Sequence, residues 1–227
     1  MATRDWVRLP TGWIQDGGLR ELRWGRNGHG SDNTAALMTL TAIAHIADDA
    51  SGIARLTYDM LCAATGLSRA KLSNGLDVLE RIKVVTRTPE GRSTYKLANY
   101  NPQGGWAKLP ARSMYSAGRI AAFDDFSLRR ATELDALKLF FLFVARRDRD
   151  TNMANISYDK IREYTSIERP RIKAALSFLA SLSLVYVEQV PSSVNDHGVA
   201  NAYRVVGVDS YVHMGTRGRR MDSIDFE

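Results

Sequence analysis

Residues 56–87 read LTYDMLCAATGLSRAKLSNGLDVLERIKVVTR. A second stretch, residues 156–187, reads ISYDKIREYTSIERPRIKAALSFLASLSLVYV and aligns with the first without a gap at an offset of 100 residues. The same offset aligns WVRLP at residues 6–10 with WAKLP at residues 106–110. One register that relates two separate motifs indicates an internal duplication, a pattern to be sought before any local signal. The longer match contains seven identities, three of them apolar. The other four are Tyr58 with Tyr158, Asp59 with Asp159, Thr65 with Thr165, and Arg69 with Arg169.

Each copy has the pattern of two short helices joined by a tight turn. In the first copy Thr57 is placed to cap a helix that runs to Ala64, Gly66 interrupts it, and Ser68 is placed to cap the next helix. The second helix turns its leucines to one face, because they recur at helical spacing. A helical hairpin with glycine in its turn is typical of a helix-turn-helix. The inward-facing residues are Leu72, Leu76 and Leu79.

A β-hairpin is predicted after each helix pair. In the first copy, residues 84–88 and 93–97 flank PEGR, a turn sequence. The second hairpin is longer by eight residues, since Tyr203 corresponds to Tyr95 at an offset of 108. A helix-turn-helix followed by a hairpin is a winged helix. The predicted fold class is therefore α+β, mainly α, with two tandem winged helix-turn-helix domains from an internal duplication. Their bounds are residues 1–100 and 101–212, followed by a basic tail at 213–227 that is predicted to be disordered.

The regions outside the repeat predict the rest of each domain. A long apolar helix is predicted at residues 31–50, capped by Ser31 or Asp32, and His45 within it is read as a packed or partly exposed core histidine. Residues 6–10 read as a short strand, because apolar Val and Leu alternate with Arg. We expect this strand to pair with the hairpin or to pack beside it.

The second domain is expected to repeat this plan. A second core helix is predicted at residues 132–147, where Thr132 and Asp135 form a capping-box pattern. The segment between the domains, residues 98–105, is the best candidate for a linker because it is rich in Asn, Pro and Gly.

Length and composition exclude several classes of protein. The 227 residues suffice for two domains, and 44% hydrophobic with 25% charged residues is typical of a folded protein. A net charge of +6 suits a polyanionic partner without establishing one. A single cysteine, Cys62, excludes an intramolecular disulfide and a multi-cysteine zinc site. No run of about 18 apolar residues occurs, so no membrane partner is expected and the chain is predicted to be cytoplasmic.

The second helix of a winged helix enters the major groove of DNA, and the wing contacts the backbone or the minor groove. In the first copy Asn74 is suited to reading adenine, Lys71 to reading guanine or holding phosphate, and Arg69 to meeting phosphate at the helix N-terminus. Arg81, like Lys83, is equally well explained as a solvated charge. The candidate DNA-binding residues here are Ser68, Arg69, Ala70, Lys71, Ser73, Asn74 and Arg81 on the helix, with Arg92 at the tip of the hairpin.

The second copy offers a shorter set. Glu168 replaces Ser68 and puts an acid near the expected phosphate, which weakens the analogy at that position. The candidate DNA-binding residues are Arg169, Arg171, Lys173, Ala174 and Ser177.

At these motifs the chain resembles tandem winged-helix replication initiators and replisome organisers of plasmids and phages. Their domains often open with a W-x-K/R-L-P strand, continue with a core helix, and then carry a segment like that at residues 156–187. The resemblance implies binding to origin repeats and recruitment of host replication proteins.

The sequence thus predicts a non-enzymatic, sequence-specific protein that binds double-stranded DNA, acting as a replication initiator of a plasmid, phage or other mobile element. A transcriptional regulator that binds an operator, with host transcription proteins as partners, and a winged-helix adaptor that binds protein are alternatives. No catalytic grouping, zinc spacing or phosphate loop is recognisable, so neither enzymatic activity nor a cofactor is expected. Two points stay open: whether one or both domains bind DNA, and whether the chain forms a homodimer.

Overall fold

A computed structural model of the chain describes residues 4–25, 29–87, 93–191 and 199–208. The protein is mixed α/β, with about 48% helix and 20% strand, so the predicted α+β class with more helix than strand is confirmed. The elements of the first half are β1 (Trp6–Pro10), α1 (Gly12–Gln15), α2 (Gly18–Glu21), α3 (His29–Ile46), β2 (Ile53–Arg55), α4 (Tyr58–Thr65), α5 (Arg69–Arg81), β3 (Val85–Arg87) and β4 (Thr94–Leu97).

The second half repeats this order from the core helix onward, but the segment between its first strand and its core helix is different. Short 3₁₀ turns at Arg112–Met114 and Ala121–Phe123 flank a small hairpin. The elements are β5 (Trp106–Pro110), β6 (Tyr115–Ser116), β7 (Arg119–Ile120), α6 (Ala131–Arg146), β8 (Met153–Asn155), α7 (Tyr158–Thr165), α8 (Arg169–Ser181), β9 (Val185–Pro191) and β10 (Val199–Val205).

The predicted helix caps of the first pair are confirmed. Thr57 Oγ1 accepts the backbone N–H of Met60 at 3.2 Å, and Ser68 Oγ accepts that of Lys71 at 3.3 Å. Gly66 ends α4 with a left-handed φ of 73°. Glycine adopts this conformation at little energetic cost because it has no Cβ. These local contacts separate α4 from α5 and set the tight turn between them.

Each half contains a three-stranded antiparallel sheet with the last strand in the centre, in the orders β2-β4-β3 and β8-β10-β9. The central strands carry Tyr95 and Tyr203, which are 2% and 0% exposed. Tyr203 stacks on Phe143 of α6 with ring centroids 4.2 Å apart. In the second half, the hairpin is therefore fixed to its core helix by a buried aromatic ring.

Helix α3 is buried along most of its length and packs closely against α5. At Gly75 the two backbones approach so closely that a Cβ would lie 2.9 Å from the carbonyl carbon of Ala35. The predicted inward face of α5 is confirmed, since Leu72, Leu76 and Leu79 are each 0% exposed. The equivalent position on α8 is Ala175, also fully buried.

Of the two arrangements expected for β1, pairing with the hairpin does not occur. β1 instead pairs antiparallel with β5, with Trp6 opposite Pro110, Arg8 opposite Lys108, and Pro10 opposite Trp106. Trp6 stacks on Trp106 with centroids 5.9 Å apart, and each cation lies over the other strand's ring, at 5.0 Å for Arg8 and 4.5 Å for Lys108. The repeated segments are partners for each other because their rings and cations are complementary in this antiparallel register.

After these strands the chain crosses to the opposite half. We call residues 11–24 and 111–126 the crossover segments. From the first, Trp13 packs edge-on against Phe141 of α6, and the carbonyl oxygen of Leu22 accepts the buried ammonium of Lys138 at 2.7 Å. From the second, Tyr115 contacts His45 of α3. Each half therefore supplies part of the other half's packing.

Two predicted helix starts are corrected. α3 begins at His29 and ends at Ile46, so Ser31 and Asp32 lie inside the helix, not at its cap. Gly30 lies in the first turn of the helix, and its carbonyl oxygen accepts the Thr34 hydroxyl at 2.9 Å.

The capping box at Thr132 and Asp135 does not form. α6 begins at Ala131 with Arg130 as its N-cap residue, and that residue makes no side-chain cap. Glu133 takes the acceptor role, receiving the Ser127 hydroxyl at 2.6 Å and the backbone N–H groups of Ser127 and Arg129. The Asp135 side chain turns to another helix instead, where it meets Arg171.

The segment at 98–105 consists of turns and bends between β4 and β5. Arg92, the tip of the second hairpin and the tail at 213–227 lie outside the described residues. Within the described ranges, no helix combines the length and apolar character needed to cross a bilayer.

We expect Gly75→Val to destabilise the fold by about 1–3 kcal/mol, because the new side chain must push the backbones of α3 and α5 apart. Chemical denaturation followed by circular dichroism measures the change. Gly104→Val is the matched control, since nothing lies within 4 Å of a Cβ built there. Equal stabilities of the two variants would contradict the close contact.

The buried His45 predicts a pH dependence of stability. Its Nε2 donates to the Pro110 carbonyl oxygen at 2.8 Å, and in the neutral ring Nδ1 accepts the Tyr115 hydroxyl at 3.3 Å. Burial lowers the pKa of His45 from 6.5 to about 4. Since the unfolded chain binds the proton first, this contribution is complete above pH 6.5 and is lost as the pH falls toward 4.

The loss corresponds to about 3 kcal/mol across that window. Denaturation at pH 7, 5.5 and 4.5 measures it, and His45→Gln is the comparison because glutamine can still donate to Pro110 but does not titrate. We expect a flatter pH profile for the variant. Parallel profiles would show that other groups carry the dependence.

Candidate nucleic-acid interface

The exposed faces of α5 and α8 carry the predicted DNA-binding residues of the helices. All of them are exposed except Lys71 and Ser73, which are half-buried. The buried leucine face of α5 fixes which side chains point outward, because residues on opposite faces of a helix cannot exchange places. We call these exposed faces the reading faces: residues 68–81 of α5 with its cap, and residues 169–177 of α8.

Two donors of the first reading face are held by an acid of the core helix. Asp32 Oδ1 accepts Lys71 Nζ at 2.8 Å and the Asn74 amide nitrogen at 3.1 Å. Ser31 Oγ also accepts Lys71 Nζ, at 2.6 Å. Burial raises the pKa of Asp32, but the hydrogen bonds from Lys71 and Asn74 outweigh it and hold the pKa below its ordinary value. Asp32 is therefore ionised and organises this part of the face.

The second reading face has an equivalent contact. Arg171, which aligns with Lys71, pairs with Asp135 of α6 at 2.6 Å. The Asp135 side chain is only 4% exposed, and burial raises its pKa, while the charges of Arg171 and Lys138 oppose that rise. Burial lowers the pKa of Lys138 to about 8. A shallow pocket at this end of α8 is lined by Lys138, Asp135, Arg171 and Glu168, among others.

A second ion pair, largely exposed to solvent, recurs at the N-termini of α5 and α8. Arg69 meets Asp59 at 2.5 Å, and Arg169 meets Asp159 at 2.6 Å, with all four side chains more than 60% exposed. The hydrogen bond from Arg169 lowers the pKa of Asp159 below its ordinary value. Ion pairs this exposed exchange partners at little cost. Both arginines can therefore transfer to an incoming anion.

Other cations on or beside the reading faces have no ion pair within the described part of the chain. These are Arg81 at the end of α5 and Lys173 on α8, both exposed. Sequence reasoning did not select Arg55 and Lys96, which are exposed on the three-stranded sheet of the first half. Their alternation with the buried Ala54 and Tyr95 is the signal that would have found them.

Arg87 of β3 links the hairpin to α5. It contacts Asp77 and Glu80, the latter at 2.7 Å, and its backbone N–H donates to Glu80 Oε1 at 3.0 Å. The hydrogen bonds from Arg87 lower the pKa of Glu80 even though burial raises it. Two acids on the outer side of α5 are thereby neutralised, so they do not repel an anion there.

Neither reading face contains a cluster that would hold a metal: among the described residues, no three His, Cys, Asp or Glu side chains form one. Cys62 is half-buried on α4, and burial raises the pKa of its thiol. The chemistry available at these surfaces is thus hydrogen bonding and charge, from Arg, Lys, Asn and Ser side chains.

No protein-family model matches the chain, and a search of curated proteins finds no relative.

The two helix starts predict different responses to the same change. Ser68 caps α5, whereas Glu168 at the N-cap of α8 makes no side-chain cap. We expect Ser68→Ala to cost about 1 kcal/mol of stability and Glu168→Ala to cost less than about 0.5 kcal/mol. Thermal or urea unfolding measures both. A larger loss at Glu168 would show that its contact with Arg162, at 3.3 Å, holds the turn.

Proposed function

We propose that the chain is a sequence-specific, double-stranded DNA-binding protein built from two winged-helix modules, with α5 and α8 as the reading helices. The observation that carries the proposal is that both helices bury one face and present the other to solvent with Arg, Lys, Asn or Ser side chains. Donors of this kind bind phosphate and base edges.

The repeated architecture supports the two-module form. Both halves have the order core helix, strand, helix pair and hairpin, and both three-stranded sheets have the last strand in the centre. Side-chain contacts also recur at the offset of 100 residues. Thr65 and Thr165 each donate to the carbonyl oxygen four residues earlier, and Asp48 and Asp148 each close the turn after a core helix. A duplication explains all of these at once.

Charge and geometry assign different tasks to the two faces. On α5, Asn74 is the candidate for base reading, because a carboxamide matches the donor and acceptor of adenine in the major groove. On α8, Arg169 and Lys173 are candidates for phosphate contacts, which position the protein and make binding salt-dependent. The pairing of β1 with β5 ties the modules, so one chain would span two neighbouring major-groove segments.

The biological role follows from the sequence resemblance. We propose that the chain acts at a replication origin of a plasmid, phage or other mobile element, where repeated sites and host replication proteins would be its partners. Occupation of an array of repeats supports this role, whereas occupation of one promoter-proximal operator supports a transcriptional regulator.

A protein-interaction role is favoured by one observation. Tyr186 and Val187 on β9 are 52% and 44% exposed, and β9 is an edge strand. Exposed apolar residues on a sheet edge are suited to pairing with another chain. Binding to no duplex at low salt would favour this adaptor function over the proposed one.

Selection from a random duplex pool followed by footprinting tests the DNA-binding proposal. We expect a protected site with two major-groove segments about 34 Å apart, because the two reading helices are held in one chain. A footprint of half that extent would show that a single module reads DNA.

The two candidate residues predict different kinds of loss. Asn74→Ala should weaken binding to the selected site and leave binding to random duplex unchanged. The difference in binding free energy between the two duplexes should therefore fall by about 1–3 kcal/mol. Arg169→Ala should weaken both duplexes alike and lower the salt slope by about 0.9. Fluorescence anisotropy titrations at several salt concentrations measure both, with Lys160→Ala of α7 as a control outside the reading faces. Equal losses on both duplexes for Asn74→Ala would remove it from base reading.

A further inference from the structure

The same position on both reading faces is tied to the core helix behind it. Lys71 and Arg171 align at the offset of 100 residues, and they pair with Asp32 of α3 and Asp135 of α6 at 2.8 and 2.6 Å. Both acids lie near the start of their core helix. The contact recurs although one cation is lysine and the other arginine, and although the two acids do not align at that offset. The position of the cation on the second helix of each pair therefore brings it to the core helix.

These tethers differ from the exposed pairs at the helix N-termini. The acids are 17% and 4% exposed, whereas Asp59 and Asp159 are 79% and 70% exposed. Removing the cation would leave a carboxylate poorly hydrated, and a buried unpaired charge is costly. Lys71 and Arg171 are therefore held by the protein, while the exposed arginines exchange freely.

Asp32 also fixes the orientation of Asn74. The amide nitrogen donates to Asp32 Oδ1, which sets the plane of the amide. One N–H remains for a second acceptor, and the amide oxygen remains for a donor. A side chain held in one orientation discriminates between bases better than a mobile one, because it loses little rotamer freedom on binding.

We propose that Asp32 and Asp135 are positioning residues for sequence specificity: they withhold Lys71 and Arg171 from nonspecific phosphate contacts, and Asp32 orients Asn74 toward the base. This inference rests on the proposed DNA-binding function. A cation available to every phosphate strengthens binding to all sequences equally and so lowers the ratio of specific to nonspecific affinity.

The test measures affinity and salt slope on the selected site and on random duplex. For Asp32→Asn we expect the slope on random duplex to steepen by about 0.9, since one cation is released to phosphate, and the specificity ratio to fall about fivefold or more. Lys71→Met in the wild-type background should leave the slope on random duplex unchanged. The same change at Lys173, which has no ion pair among the described residues, should lower that slope by about 0.9.

A double variant separates cation release from loss of an acid. If Asp32→Asn acts by releasing Lys71, combining it with Lys71→Met restores the wild-type slope. If it acts by removing a negative charge that repels DNA, the slope of the double variant stays steep, which overturns the proposal. Asp16→Asn removes the same charge from an exposed acid that has no ion pair among the described residues, and it should leave the slope unchanged.

A measurement without DNA checks the tether itself. The Asn74 side-chain amide should shift in the nitrogen–proton NMR spectrum of Asp32→Asn, and an unmoved signal overturns the tether. Thermal melts establish that each variant is folded; should Asp32→Asn not fold, the contrast between Lys71→Met and Lys173→Met carries the test. A wild-type chain that binds no duplex at low salt overturns the proposed function and this inference together. Binding with identical slopes in all variants overturns the inference alone.

Discussion

The structure depends on the antiparallel pairing of β1 with β5. These strands are the two copies of one sequence pattern, and they meet so that each tryptophan stacks on the other and each basic residue lies over the opposite ring. Stacking, cation–π attraction and burial of Val7, Leu9 and Leu109 all act in the same register. A shift by one residue would break all three at once, so the pairing fixes how the halves meet.

The packing between the two halves depends on the path of the chain after β1 and β5. Because the strands run antiparallel, the residues after each strand leave toward the opposite half, and the crossover segments pack there. His45 and Lys138 mark the two junctions: each is a buried polar side chain of one core helix that bonds a backbone carbonyl supplied by the other half. Buried polar groups with such partners specify one arrangement, since any other leaves them unsatisfied.

Sequence reasoning succeeded where the deciding contacts are local. The caps at Thr57 and Ser68, the break at Gly66 and the inward leucines of α5 depend on neighbours within about four residues. It failed where a contact depends on residues distant in sequence or on partners that compete for it. The alternation in residues 6–10 predicts a strand but suits any edge equally well, and its partner lies 100 residues away.

The same reasoning explains the errors within the site. Residues 132 and 135 have the spacing of a capping box, but α6 already begins at Ala131, so Thr132 lies inside the helix, and Glu133 receives the donors of the preceding loop. Exposure of the predicted donors could be read from the helical period. Their capture by Asp32 and Asp135 could not, because that depends on how closely α5 and α8 cross their core helices.

The crossover segments also constrain how such a chain can change. A break within residues 98–105 would not release two independent proteins, because each fragment would retain a piece that covers its neighbour and lack the piece that covers itself. The fragments would have to reassociate to be soluble, much as two subunits do. Loss or exchange of one half would uncover the apolar core of the other, so we expect the two halves to be kept together.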